Sequence, residues 1–481
     1  MSSAPHAAEM PARARWSAFV ICLGAGFMAL LDVSIVNVAL PSIERALEPS
    51  PSQLQWVVAG YGLTFGLVLV PAGRLGDVLS RRWVFVLGLS GFVLAAAACG
   101  FAPTPEVLVG LRLLQGVFAG VLNPQVIGLI QELFRGPERG RAFGYFGATI
   151  GISTALGPLV GGLLIAAFGP EEGWRAVFLV NVPLGLILVP LALRYLPRTA
   201  PQATQARIDV VGMLLIAAAV LCIMFPFASA SDAEANDVPW WLLGVATVLI
   251  AAFVLWERRL ERAGGSPVVS SELMRTPSFV LGAAVAAAYF AGFTGMFLAG
   301  TLYLQQGLGL SALQAGLTLT SFALMGAISA ALSGRLVQRF GRWTVVTGIA
   351  LTGIGMAGVA STAATTDGPQ TALVLACWLA IAGLGNGAVI SPNQALTLAD
   401  VPVTRGGSAG GVLQTGQRMG AAIGIAIAAA VFFSRLEQAG SGALAGGYGP
   451  AMRATMVVAL TAMSVAFLLA LTDALRRRTH H

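Results

Sequence analysis

The chain has 481 residues, 57% of them hydrophobic and only 10% charged, with 59 glycines and a formal net charge of +7. A soluble domain is roughly 45–50% apolar and about 25% charged. An ordinary soluble enzyme, a disordered chain and a disulfide scaffold are therefore excluded, and long apolar runs favour a helical polytopic membrane protein over a transmembrane barrel.

All 28 basic residues are arginine. Without lysine there is no Walker A phosphate loop and no Schiff-base chemistry. The histidines His6, His480 and His481 are terminal, so none at membrane depth could bind haem or zinc or relay protons. Cys22, Cys99, Cys222 and Cys377 lie far apart in apolar runs. They lack metal-ligand spacing and read as small buried hydrophobes. No cofactor is expected, and the repertoire suits a transporter better than an enzyme.

A bilayer core needs about 20 apolar residues per helix. Runs near 17–40, 54–72, 83–102, 106–130, 142–168, 174–196, 208–229, 239–257, 277–304, 312–333, 343–363, 370–391, 407–433 and 452–475 predict fourteen spans. The first is too long for a signal-peptide core and reads as a retained span. With the N-terminus in the cytoplasm, 22 arginines fall inside and four outside (Arg45, Arg175, Arg435 and Arg453), leaving Arg112 and Arg418 within spans. This bias places both termini in the cytoplasm. It accounts for the basic charge without nucleic acid.

Span 1 carries Asp32, the one carboxylate deep in any span. It falls about 12 Å below the outer end, and Arg112 of span 4 falls about 9 Å below its own, at 1.5 Å per residue. Charges at such depth usually face a bundle interior and pair. Span 4 presents Arg112, Gln115, Ala119 and Asn123 on one face, span 12 presents Asn386, Asn393 and Thr397, and span 13 presents Gln414, Gln417 and Arg418. Gln115, Asn123, Asn386, Gln414 and Arg418 are expected to line a substrate cavity. The competing reading is hydrogen bonding between packed spans. In span 5, Gly147 and Gly151, then Gly157 and Gly161, recur at helical spacing beside Pro158 and Gly162, a pattern for close packing with a kink. Spans 7 and 8 carry little polarity at depth and are expected on the lipid-facing periphery. The acidic loop 231–237 between them reads as a solvated turn that could attract cations.

The loop Gly73-Arg74-Leu75-Gly76-Asp77-Val78-Leu79-Ser80-Arg81-Arg82 recurs 261 residues later as Gly334-Arg335-Leu336-Val337-Gln338-Arg339-Phe340-Gly341-Arg342. Both join the second and third spans of a six-span block. The predicted organisation is a cytoplasmic tail (1–16), a six-helix bundle (17–200), a two-span insert with linker (201–276), a second six-helix bundle (277–475) and a cytoplasmic tail (476–481). Duplicated bundles around a midplane site are a transporter arrangement.

The first loop resembles the signature loop of the major facilitator superfamily. Leu31-Asp32-Val33-Ser34-Ile35-Val36-Asn37-Val38-Ala39-Leu40-Pro41 resembles the first-span motif of its fourteen-span drug:proton antiporters. Arg112-Leu113-Leu114-Gln115-Gly116 resembles the fourth-span arginine motif. Gly147, Gly151, Gly157, Pro158, Gly161 and Gly162 resemble the antiporter motif, and Trp174-Arg175 with Asn181-Val182-Pro183-Leu184-Gly185 also looks like that subfamily. The resemblance implies the all-α major facilitator fold, two six-helix bundles plus two inserted spans. It also implies a proton-coupling role for Asp32, tuned by Arg112; a static buried ion pair is the alternative. It implies that Gly73, Asp77, Arg81 and Arg82 form a cytoplasmic gate holding the outward-open state, and that span 5 seals against proton leak. Topology alone is the competing role for Arg81 and Arg82. Gln338 stands at the position of Asp77, so the charged latch would be one-sided.

The leading expectation is a proton-driven exporter of lipophilic or amphipathic small molecules, such as antibiotics, in the cell membrane. A neutral or anionic substrate is as plausible as a monocation. The alternatives are a transporter of the same fold dedicated to one endogenous metabolite, and a membrane receptor or scaffold. The expected partners are a small-molecule substrate, protons and lipid, with no ATPase. The lysine-free, Ala/Gly/Arg-rich composition suggests a GC-rich bacterium.

Overall fold

The computed structural model describes residues 10–169, 171–197, 208–229, 238–365, 370–438 and 444–478. The acidic loop 231–237 and the terminal histidines lie outside the described residues. Within them the regular structure is helical: α1 (Ala12–Leu47), α2 (Pro51–Leu75), α3 (Arg81–Gly100), α4 (Pro105–Leu133), α5 (Gly136–Phe168), α6 (Gly173–Leu179), α7 (Asn181–Tyr195), α8 (Val210–Ser229) and α9 (Leu242–Arg262). There follow α10 (Ser271–Arg275), α11 (Pro277–Phe293), α12 (Gly295–Leu302), α13 (Ala312–Phe340), α14 (Trp343–Thr365), α15 (Gln370–Thr397), α16 (Gly406–Gln438) and α17 (Leu444–Arg478).

Local chemistry sets the helix ends. The Ser50 hydroxyl accepts the Gln53 N–H, and the Gln53 side chain accepts the Ser50 N–H, a capping box that starts α2. Ser311 and Gln314 do the same for α13. Ser50 and Ser311 are 261 residues apart, the offset of the two loops, so the repeat takes in the whole preceding helix. The copies end differently. After α2 the chain makes a π-turn over Gly76–Ser80 and becomes extended at Ser80, whereas α13 stops at Gly341, φ 54°. Span 6 is interrupted at Val180, between α6 and α7, where Pro183 sits in the first turn of α7. α1 outruns its predicted span at both ends; at the C-terminal one, Pro41 is accommodated inside it and the turn Ser42–Arg45 continues the helix.

Twelve helical stretches among the described residues are long and apolar enough to cross a membrane. The stretch Ser52–Gly100 has 49 residues, more than twice what one crossing needs. It contains the extended residue Ser80 and counts as two spans, α2 and α3. With α2 and α3 counted apart, the described residues hold thirteen such stretches. The second inserted helix, α9, whose apolar run Trp240–Trp256 meets the charged end Glu257-Arg258-Arg259, falls short of that measure and is the one of the fourteen expected that is not among them.

Contacts divide the described chain into two units: residues within 1–142, 153–276 and 400–415, and residues within 143–152, 277–399 and 416–481. In the first, α4 packs between α2 and α3, α1 rests on α6 and α7, and α8 lies on α2 with α9 beside it. Its largest buried ring is Trp174, in a cluster with Ile35, Val57, Leu108 and Phe178. In the second, α15 packs between α13 and α14, and α17 joins α11 to α14 around Tyr289, Phe322, Met356 and Phe432. The outer faces of α8 and α9 stay apolar and exposed, as at Leu214, Val248 and Leu255. Reading all four cysteines as buried hydrophobes fails for Cys377, which is exposed, and Cys222 is half-buried. In lipid an apolar side chain gains little by turning inward.

Candidate functional site

Asp32 lies in the middle of α1 and is fully buried. Arg112 Nη1 donates to its Oδ2 at 2.6 Å, and Gln115 Nε2 donates to Oδ1 at 2.9 Å. The side chains of Arg112 and Gln115 share a helical face, so one element presents both donors. A third donor comes from α7: Asn181 Nδ2 reaches Oδ1 at 3.0 Å and also bonds the Phe178 carbonyl across the break in span 6. Arg112 is held in turn by the Val57 carbonyl (2.9 Å), by Gln115 Oε1 (2.7 Å) and by the face of Tyr61, whose ring centre is 4.3 Å from the guanidinium carbon. Helices α4 and α7 thus supply the donors to one carboxylate on α1, with α2 holding Arg112, and every group bonded to the carboxylate is a donor.

The energetics bear on why such a cluster is present. Removing one partner of a buried ion pair costs roughly 3–5 kcal/mol, while replacing the whole pair by apolar residues is often neutral or stabilising. Stability alone therefore gives no reason to keep Asp32 and Arg112 in an apolar bundle.

A second buried cluster surrounds Asp77, in the π-turn after α2. Its Oδ1 accepts from Arg81 Nη2 (2.7 Å) and the Gly407 N–H (2.9 Å); its Oδ2 accepts from the N–H and hydroxyl of Ser408 (2.8 Å each). Gly407 and Ser408 open α16, so the carboxylate sits where the helix dipole favours negative charge. Gly73 and Gly407 make this approach possible. A β-carbon on Gly73 would lie 2.2 Å from the Gly407 carbonyl oxygen. Arg81 continues to Glu132 (3.1 Å) and to the Gly128 carbonyl. Arg82 is placed elsewhere and donates to the Leu193 carbonyl. Successive helical residues point about 100° apart, so Arg81 and Arg82 leave the helix in different directions.

The remaining expected residues separate. Asn123 and Gln414 bond each other at 2.7 Å, both buried. Asn386 is half-buried and accepts the Tyr289 hydroxyl at 2.9 Å, beside Thr352. Arg418 is half-buried in the second unit. Asn393 bonds the Gly282 carbonyl and serves packing between α15 and α11. In α5, β-carbons on Gly147 and Gly151 would strike Ser391 and Ala327, and on Gly157 and Gly161 would meet Ser34 and Ile35. Gly162 faces open space, and Pro158 lies within a continuous helix.

Three contributors escaped the sequence reading. Asn181 was visible only as part of a motif; its place in a broken span beside Pro183 was the available signal. Glu132 looks like an ordinary span end. Asp473 forms a buried 2.6 Å ion pair with Arg342, the second-copy counterpart of Arg81. The second loop therefore has its own arginine–carboxylate contact, drawn from α17 instead of from the loop.

Residues 22–425 match the Major Facilitator Superfamily. The chain is 37% identical over 431 residues to the "Probable actinorhodin transporter" of Streptomyces coelicolor, covering 89% of this chain and 74% of that protein. It is 35% identical over 426 residues to the puromycin resistance protein pur8 of Streptomyces alboniger, covering 88% and 82%. The crystal structure of the human organic anion transporter MFSD10 shares the fold, with a TM-score of 0.69 at 16% identity over 96% of this chain and all of that one. The chain belongs to the Major Facilitator Superfamily and is a membrane transporter related to bacterial antibiotic-resistance and export proteins.

Proposed function

We propose that the chain is a proton-coupled antiporter that exports lipophilic or amphipathic small molecules by alternating access, with Asp32 as the proton carrier. The observation that carries this is the buried carboxylate met by Arg112, Gln115 and Asn181, with no acceptor bonded to it. In this reading the proton and Arg112 are alternative partners of the carboxylate. Loading requires Arg112 to withdraw; restoring the pair expels the proton. Coupling follows if the two access states differ in that contact, since an equilibrium shifts only by differential interaction. With its termini in the cytoplasm, the cluster at Asp77 becomes a cytoplasmic latch that holds the first loop to the start of α16.

The relatives named above carry the names of actinorhodin and puromycin, which supports export of compounds of that kind. The buried amides Asn123 and Gln414 suit neutral or anionic substrates as well as monocations. The test is compound accumulation in a bacterial host stripped of its own pumps. Expression should lower accumulation of some members of a lipophilic panel, and an uncoupler should abolish the difference. A difference that survives uncoupling and disappears on ATP depletion would overturn proton coupling.

A further inference from the structure

The two inserted helices and the linker after them carry a cluster that the transport cycle above does not use. Asp209, just before α8, and Glu257, at the charged end of α9, are both buried. Asp209 Oδ1 accepts the Gly212 N–H and the Trp256 indole N–H, each at 2.9 Å. Its Oδ2 is buried without a donor. A β-carbon on Gly212 would lie 2.2 Å from Asp209 Oδ2 and 2.6 Å from Glu257 Oε1, so the two carboxyl groups face each other over that glycine. Carboxyl groups this close cannot both ionise cheaply.

Glu257 also holds the linker. Its two oxygens accept the N–H groups of Val268 (3.2 Å) and Val269 (3.1 Å). The Val268 side chain is buried against Val70 of α2 and Phe253 of α9, with Val412 of α16 packed on the same cluster. Further along, Ser271 bonds Glu261. The linker then grips the elements of the latch. Arg74, in the first loop, donates to the Ser266 carbonyl (3.2 Å). Arg405, at the threshold of α16, bonds Ser270 (2.8 Å) and Glu272 (2.6 Å). A polar cavity of about 220 Å³ between linker and latch is lined by Arg74, Asp77, Ser270, Arg405 and Ser408.

We infer that the linker is a strap over the cytoplasmic latch, and that a proton shared between Asp209 and Glu257 keeps it fastened. The strap's role in transport rests on the latch reading above; its response to pH does not. The apolar stretch of α9 ends at Trp256, and Glu257 stands beyond it. Burial pushes the Glu257 carboxyl up to about 7, opposed by the Val269 and Val268 amides and reinforced by Asp209. The fastened state therefore holds a proton that the released state gives up, and the fastening weakens as pH rises through about 7. The charges facing the pair are Arg74 from α2 and, beyond it, Arg405. α9 adds Arg258, Arg259, Glu261 and Arg262, and α10 adds Glu272. Arg74 is shared with Asp77, so a second ionised carboxylate competes for the cation nearest the latch. The two inserted spans thereby acquire a role: they report cytoplasmic pH to the gate.

The test is hydrogen–deuterium exchange of the intact protein in liposomes, reading the amides of 263–276 as protection relative to intrinsic exchange. Between about pH 6 and about pH 8.5, protection in the wild type should fall about tenfold or more. In Asp209→Asn, which keeps an acceptor for Gly212 and Trp256 but removes the competing charge, the fall should be clearly smaller, since burial alone still raises Glu257. Glu257→Gln should be flat, at a lower level. Constant protection in the wild type, or an equal fall in Asp209→Asn, would overturn the inference. Neither reading depends on a substrate or on proton-coupled export, so the transport proposal stands or fails separately.

Discussion

At the scale of single residues, the account turns on one carboxylate and its three donors. Asp32 and Arg112 were legible in the sequence because a lone charge at membrane depth is costly and must find a partner. Gln115 was legible as part of the same helical face, though as a cavity residue and not as a ligand of Asp32. Asn181 was not legible, because its approach depends on where α6 stops, 149 residues away in sequence from Asp32. Arg112→Ala leaves Asp32 buried and unpaired, a cost of roughly 3–5 kcal/mol. Its folded yield and melting temperature in detergent should fall, and adding Asp32→Asn should recover most of the loss. Equal stability of the single and double variants would contradict the pairing. Asn181→Leu removes one donor from the carboxylate. It should cost about 1–3 kcal/mol of stability and lower proton-coupled transport at matched folded protein. Unchanged transport would make Asn181 a packing residue only.

At the scale of elements, the latch depends on two glycines and a π-turn that no periodicity argument foresees. The sequence showed which residues recur in the two loops. It did not show that Asp77 caps α16, because that contact joins segments 330 residues apart. The repeat could have been traced further, since the Ser50–Gln53 and Ser311–Gln314 capping boxes share the offset of the loops. Gly73→Ala forces a methyl against the Gly407 carbonyl, and overpacking of this kind costs about 1–3 kcal/mol. A cysteine placed near Val403, with the exposed Cys377 removed, should react with a membrane-impermeant maleimide about tenfold faster in Gly73→Ala and in Asp77→Asn. Arg82→Ala should leave that rate near the wild-type value, because the carbonyl that Arg82 bonds is on α7. A latch built on both arginines would show equal effects.

For the whole molecule, the fold class was written in composition and charge. Long apolar runs identified the membrane, the one-sided placement of arginine gave the expected orientation, and the loop repeat identified the duplication. The span count needed more care. α2 and α3 merge into one 49-residue stretch unless the extended Ser80 is recognised, and the insert's second helix, ending in Glu257-Arg258-Arg259, is less apolar over a full crossing than the others. What composition could not supply is the convergence of distant polar residues, since a polar stripe looks the same whether it lines a cavity or satisfies a neighbour. The central claim is that Asp32 carries the proton exchanged for substrate. The measurement that tests it most directly is proton release from acid-loaded inverted membrane vesicles on addition of lipophilic compounds, with wild type beside Asp32→Asn at matched folded protein. Release by the wild type alone is the expected result. Equal release by both would remove Asp32 from the mechanism and contradict the account.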